Sequence, residues 1–440
     1  MEVYETFDHE LFSALATTPE NSSVNFPVLS NDSGHVTIQT GIMKLLMMAY
    51  AEAVEMEQEE LAKVIAKCIS QKANLNGSPL ERIALNLFPP EENQEKTYLF
   101  QESLTNFNTA FRAFYDIFPY GRFAHLTAGS AIIEAVPAHV NLVHIVDFDI
   151  CEGIQWPPFI EAIARIKKSV IITSIKLDQD SQFDQTRWQL CNFATSLGLN
   201  LKVQEMGMAQ MVKKMDTRKL GSEFMVFNCM IGLLHMGRTR KTTQVMDFLK
   251  IARGLLAKHQ GIITFGGGLE VDRTTNYSDF SLFFNKNLAH YEALFESMEW
   301  GFPSYLNEAR IAMETLFLAP FVSSKSWFEK WDEQRQEKVV FDVNFVKGFG
   351  LKGERMSMES CNEAMEMVKE GETPYRIRIE GENGNEMVLA WKETSLVRVC
   401  VWKVMTEICK KKLNQHVNVK HVLNHVERGC GLLALSGQGL

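Results

Sequence analysis

The chain has 440 residues, which fits either about two to three domain-sized units or one large α/β domain with a helical subdomain. Hydrophobic residues make up 46% and charged residues 22%, enough to bury a large core, while a net charge of −9 argues against a stand-alone, non-specific nucleic-acid binder. Eight cysteines without a CxxC pair read as reduced thiols rather than a disulfide framework; no run of about 18 apolar residues and no basic-then-apolar leader speaks for a membrane span or a signal peptide.

In chain order, residues 1–37 read as a flexible, polar and acidic leader in which only Phe7, Leu11, Phe12 and Leu15 form an apolar stripe. From Gly41 the helical period sets in. Ile42, Leu45, Leu46, Ala49 and Ala53 fall at i, i+3, i+4, i+7 and i+11, and Leu61, Val64, Ile65 and Cys68 continue the period on a second helix. Such a stripe is usually core. At the edge of a domain it is also a common partner-binding face, and these five positions are the candidates for that role. Ser78-Pro79 supplies an N-cap and first-turn pair for a third helix. Residues 98–118 and 128–136 are also helical in character. The expected organisation is a helical cap over 38–118, an α/β core over 119–403 and a tail over 404–440.

The character changes at Leu142. Leu142–Asp147 is short, apolar and β-branched, as a buried parallel strand requires. A helix opens at Trp156-Pro157-Pro158 and runs to Ile166. Strand signals follow at 169–177, 199–203, 223–228 and 261–265, with helices expected over 185–197 and 241–257. Alternating strands and helices imply βαβ units. The final strands, 375–379, 387–391 and 396–402, alternate in polarity and flank the hairpin signal Asn383-Gly384. The predicted fold class is α/β: a methyltransferase-like, doubly wound sheet, parallel with antiparallel C-terminal strands, under an N-terminal helical cap.

In such folds the ligand lies beyond the carboxyl ends of the strands, and the first strand-to-helix loop needs glycines so that backbone can approach it. Here that loop reads Asp147-Phe148-Asp149-Ile150-Cys151-Glu152-Gly153. Asp149 and Cys151 stand where a methyl-donor loop would carry its first two glycines; only Gly153 remains. Asp149 and Glu152 add negative charge where a methionine carboxylate would lie, at a cost of about 1–4 kcal/mol per like-charge contact in a partly screened site. The next strand-end acid, Asp178, comes too late for a ribose-binding carboxylate. No cofactor is expected, and an S-adenosylmethionine-dependent methyltransferase or small-molecule sensor on the same fold is the alternative.

The other candidate chemistry is thin. Asp147, Asp149 and Glu152 lack metal-ligand spacing and are expected to favour the next helix N-terminus. His144 reads as a satisfied core histidine. Gly266-Gly267-Gly268 reads as a permissive turn. His421 and His425, with His416, Cys409 and Cys430, match no standard zinc finger. No catalytic or metal residue is assigned. Arg238, Arg240, Lys241, Arg376 and Arg378 are the candidate phosphate contacts.

Several motifs carry a resemblance. Val143-His144-Ile145-Val146-Asp147, continuing to Ala164, resembles the VHIID motif of GRAS-domain proteins, a plant class of transcription regulators. LLMMAYAEAV (45–54) is similar to the family's first leucine-rich region, PYGRFAHLTA (119–128) to the stretch before VHIID, and Leu249–Leu256 to the second leucine-rich region. Ala390-Trp391-Lys392 and Val401-Trp402-Lys403 resemble the closing SAW motif, with Trp391, Val401 and Trp402 as its core and Cys400-Val401 in place of Ser-Ala. FNCMIGLLHMGR (227–238) and ARIAMETLFLAPFVSS (309–324) are closest to the nodulation-signalling-pathway-2 type. The resemblance spans roughly 38–403. SWFEKW (326–331) departs from the PFYRE region, and the tail departs from the usual ending. The resemblance implies a non-enzymatic transcription regulator in the nucleus. Its partners would be other GRAS-domain proteins in homo- or heterodimers, with DNA reached directly or through a partner. Its subgroup implies symbiotic or strigolactone-related signalling.

Overall fold

The computed structural model describes residues 32–89, 101, 107–177, 183–216, 223–237, 240–271, 277–337 and 350–404. Residues from Met43 onward form one compact unit; Met1–Ile42 form another, of which the described part is helical. Arg238, Asp178, the histidines and cysteines of the tail, and the apolar stripe of the leader lie outside the described residues.

The first helices are α1 (Asp32–Glu55), α2 (Glu59–Lys72), α3 (Pro79–Leu87), α4 (Phe107–Ile117) and α5 (Pro119–Ala135). Helix α3 starts where its sequence requires: Pro79 lacks the N–H that a first helical residue leaves unused, and Glu81 accepts the Ser78 backbone N–H at 2.7 Å. Helix α5 starts nine residues earlier than the period at 128–136 indicates, because Pro119 opens it and Tyr120, Phe123 and Ala124 are buried with the later turns.

The sheet takes in β1 (Leu142–Asp147), β2 (Ser169–Ile175), β3 (Leu201–Met206), β4 (Phe224–Ile231) and β5 (Gly261–Gly267), then β6 (Leu351–Gly353), β7 (Tyr375–Glu380), β8 (Glu386–Trp391) and β9 (Thr394–Val404). Its order is β3-β2-β1-β4-β5-β9-β8-β7, with β6 paired to β9; the first five strands are parallel and the rest antiparallel. The order reverses between β1 and β4, which makes their carboxyl ends the switch point where a ligand of this fold would sit. The doubly wound α/β class is therefore observed.

Alternate residues of the strands feed two cores. Val143, Ile145, Val226 and Ile262 pack into one, and Val146, Phe227, Ile263 and Phe265 into the other. Helices α6 (Trp156–Arg165), α7 (Phe183–Ser196), α8 (Met208–Asp216) and α9 (Thr242–Leu256) connect the parallel strands. After β5 come α10 (Phe280–Gly301), α11 (Asn307–Met313), a π-turn at Glu314–Leu318, α12 (Ser324–Glu337) and, before β7, α13 (Met358–Val368). Helix α10 is capped by Asp279, which accepts the Leu282 N–H at 2.7 Å. It packs on α3 and on β8 and β9, so this later insertion joins the early helices in one layer. Arg82 of α3, 2% exposed, ties that layer together: it reaches Glu299 at 3.0 Å, Glu314 at 3.1 Å and the Phe295 carbonyl at 3.3 Å.

Two expectations are corrected. Gly266 and Gly267 are not a turn but the end of β5, held between β4 and β9. A Cβ at Gly267 would meet the Ile231 carbonyl oxygen at 2.1 Å, so glycine is needed for close strand approach. The strand expected at 199–203 begins at Leu201 and continues to Met206, because Gln204 and Met206 still pair with β2.

Candidate functional site

The site is built from the end of β1 and the residues of β4 and β5 that stand in register with it. Asp147 of β1 lies beside Asn228 of β4, which lies beside Thr264 of β5. All three side chains are buried and face the same core, with Gln155 and Trp156 of the β1–α6 connection placed over them. The Trp156 indole N–H donates to Asp147 Oδ2 at 2.8 Å, and Asn228 Nδ2 donates to Asp147 Oδ1 at 3.2 Å. Gln155 and Asn228 exchange amide hydrogen bonds at 3.1 and 3.0 Å, and the Thr264 hydroxyl donates to Asn228 Oδ1 at 2.8 Å. Burial pushes the Asp147 carboxyl up to about 7, against the lowering effect of its Asn228 and Trp156 donors.

The rest of the loop is also engaged. Asp149 is paired with Arg240 at 2.7 Å, with side chains 4% and 10% exposed. Cys151 takes a left-handed backbone, φ 46°, and its carbonyl accepts the Thr186 hydroxyl at 3.2 Å. At Gly153, φ 73°, a Cβ would lie 2.7 Å from Thr186 Cγ2; this glycine serves packing against α7 rather than approach of a ligand. No side-chain hydrogen bond caps the α6 N-terminus; Asp147 binds an indole and an amide, and Asp149 a guanidinium. Beyond β4 and β5, a cavity of about 10 Å³ lined by Tyr120, Gly268 and His290 has room for about one water. Asp147, Asp149, Gln155 and Asn228 are thus all engaged by other protein side chains.

His144 is fully buried on the opposite side of β1. Lys214 donates to Gln204 Oε1 at 3.0 Å and Gln204 Nε2 to Thr173 Oγ1 at 2.8 Å. Thr173 Oγ1 lies 2.8 Å from His144 Nε2, and Glu223 lies 3.2 Å from His144 Nδ1. The chain of contacts runs from a cation to a carboxylate and links β3, β2, β1 and the start of β4. A pair of histidines, His125 and His235, joins the helical layer to the sheet. Tyr115 Oη lies 2.8 Å from His125 Nδ1, and the His125 and His235 rings meet edge-on at 5.0 Å. Burial holds His235 down to about 3 and His125 well below the usual histidine range.

Helices α1 and α2 behave differently. Met43, Met47, Tyr50, Ala51 and Ala53 turn inward, which removes Ala53 from any partner-binding face. Leu45 is 67% exposed and Val64 60%, with Met48, Met56 and Leu61 also exposed; Leu46 and Ala49 are half-buried. Ile42, in the other compact unit, is exposed. Leu45, Met48 and Glu52 recur at steps of three and four, so they lie along one open stripe of α1, with Met56 in the turn just past its end. An exposed apolar run of this kind is unusual on a chain that has no further contact to make.

Of the candidate phosphate contacts, Arg240 is corrected: it is committed to Asp149. Arg378 is held by Glu380 at 3.1 Å and Ser395 at 2.7 Å, while Lys241 and Arg376 are exposed. In the SAW-type motif, Trp391, Val401 and Trp402 are buried; Trp391 donates to Glu296 of α10 at 2.8 Å and Trp402 stacks on Phe265 at 5.4 Å. Asn228 and Thr264 have a sequence signal, a polar residue within an otherwise apolar strand, whereas Gln155, in the β1–α6 connection, has none.

The strand order and the first loop define a methyltransferase-like, doubly wound α/β protein in which the acids of that loop are engaged by its own side chains. The chain matches the GRAS domain family over residues 43–403 and belongs to it. Protein NODULATION SIGNALING PATHWAY 2 of Medicago truncatula is 28% identical over 405 residues, covering 81% of this chain and 75% of that protein. Its counterpart in Lotus japonicus is 29% identical over 308 residues, covering 68% of this chain and 59% of that protein. The crystal structure of SCL7 in Oryza sativa shares the fold at a TM-score of 0.61 and 20% identity, covering 82% of this chain and 99% of that one. Among the described residues, no helix is long and apolar enough to cross a membrane.

Proposed function

We propose that this GRAS-family chain regulates transcription in the nucleus by binding proteins rather than by catalysis, with other GRAS-domain chains among its partners. The observation that carries this reading is the open apolar stripe of α1 and α2, with Leu45 and Val64 as its most exposed members. Burying such side chains against a partner recovers roughly 25 cal/mol for each Å² removed from water. The engaged acids of the first loop support the non-enzymatic part. The relatives named for nodulation signalling support a setting in symbiotic or strigolactone-related signalling. In this reading residues 38–118 act as the partner-binding cap and 119–403 as its scaffold. DNA is reached through the partner or through exposed cations such as Lys241 and Arg376.

The test is co-precipitation of the full chain with GRAS-domain proteins, comparing wild type with Leu45→Glu/Val64→Glu. Loss of every partner in the variant, with thermal stability kept, is the expected result; unchanged capture overturns the assignment of the face. Calorimetry with S-adenosylmethionine tests the cleft, and micromolar binding would overturn the non-enzymatic reading.

A further inference from the structure

The exposed stripe does not stand in neutral surroundings. Glu52, Glu55, Glu57, Glu59 and Glu60 are all exposed around the turn that joins α1 to α2, and Met56 and Leu61 lie among them. From Leu45 to the end of α2 the basic residues are Lys63, Lys67 and Lys72, so five carboxylates face three ammonium groups, a net −2. Lys63 is spent on Glu60 at 2.7 Å, and the flanking Lys44 on Glu292 of α10 at 3.4 Å. Glu57 occupies the left-handed position that ends α1, φ 56°, where glycine is the least strained residue. The turn thus carries a carboxylate at a position whose backbone does not favour one.

The charge decides between occupants. A symmetric self-dimer sets the same patch against itself, so a net −2 would meet a net −2 around an apolar centre. A partner with an apolar seam flanked by lysine or arginine removes that repulsion and gains complementarity over the same contacts. We infer that the α1–α2 face docks a basic amphipathic helix of a different chain, not a second copy of this one. This rests on the face being the partner-binding surface, and it adds the chemistry of what binds.

The probe is a synthetic helix of about 18 residues with leucine at i, i+3, i+4 and i+7 spacing and lysine elsewhere. It is compared with a twin carrying glutamate for lysine and with a scrambled lysine peptide of equal composition. Fluorescence anisotropy with the full chain is expected to show the amphipathic lysine helix binding roughly tenfold or more tighter than either control, weakening as salt is raised. Glu52→Lys/Glu57→Lys/Glu59→Lys is expected to reverse the preference between the lysine and glutamate helices. Equal binding of the two, or a charge-reversed chain that still prefers lysine, overturns the inference. So does sedimentation equilibrium showing a wild-type dimer that Leu45→Glu/Val64→Glu dissociates. If the charge variants are silent while Leu45→Glu/Val64→Glu still loses its GRAS partners, the face stands and only its chemistry is wrong. If that variant keeps them, both readings fall.

Discussion

The switch-point cleft and the α1–α2 face use their residues in opposite ways. In the cleft, charged and amide side chains are buried, and each is met by a donor or acceptor: Asp147 by Trp156 and Asn228, Asp149 by Arg240. On the helical face, leucine, valine and methionine stand in water, with carboxylates around them. A buried polar group left without its partner costs more than the hydrogen bond is worth, so the cleft resists change. An exposed apolar side chain contributes little until something covers it. The two regions differ in what their side chains do in the folded chain: those at the switch point satisfy one another, while those on the helical face remain in solvent.

Substitutions can break that contrast, and the largest effect belongs to the cleft. Trp156→Ala empties a fully buried ring position and strips Asp147 of a donor; a loss of about 3–5 kcal/mol is expected in urea unfolding. Asp149→Ala or Arg240→Ala leaves one buried charge without its partner and is expected to cost about 3 kcal/mol, while the double variant costs less than the two singles together. A cycle with no coupling would show the pair to be incidental.

A middle-sized effect depends on pH. His235 is neutral in the fold, held down to about 3, so its contribution is complete above the unfolded value near 6.5 and is lost as pH falls from there towards 3. His125 acts in the same direction. Asp147, pushed up to about 7, acts in reverse: its folded form prefers the proton, and stability is lost as pH rises from about 4 to about 7. His235→Phe removes a ring whose Nδ1 has no hydrogen-bond partner among the described residues. It should therefore gain on wild type by about 2 kcal/mol between pH 6.5 and pH 5, at roughly 1.4 kcal/mol per pH unit. Denaturation midpoints at the two pH values check this. The smallest effect on stability belongs to the exposed face. Leu45→Ala or Val64→Ala should shift unfolding by no more than about 0.5 kcal/mol while weakening partner capture, which separates the two regions in one experiment.

Much of this was legible in the sequence. The five parallel strands announce themselves as short β-branched runs, and β1 and α6 begin where the apolar pattern and Trp156-Pro157-Pro158 place them. Helix α10 was not legible: Phe280–Gly301 is buried on many sides, so its apolar residues do not repeat on one stripe. The strand β6 has three residues and no periodicity to read. In the candidate site, the loss of glycine at Asp149 and Cys151 was visible. The partners of Asp149 and Asp147 were not, because Arg240 lies 91 residues from one and Asn228 81 residues from the other.

The α1 stripe shows where the division falls. Its periodicity is a local property of spacing, so the sequence by itself determined that α1 and α2 carry apolar stripes, that the core alternates strands and helices, and that the first loop lacks its glycines. Spacing does not say which side of a helix meets the sheet. Only the tertiary structure turned Met43, Met47 and Ala53 inward, left Leu45 and Val64 in solvent, and brought Trp156, Asn228 and Arg240 against the acids of the first loop. Burial and charge pairing depend on contacts between residues far apart in the chain, and those contacts exist only once the sheet has formed.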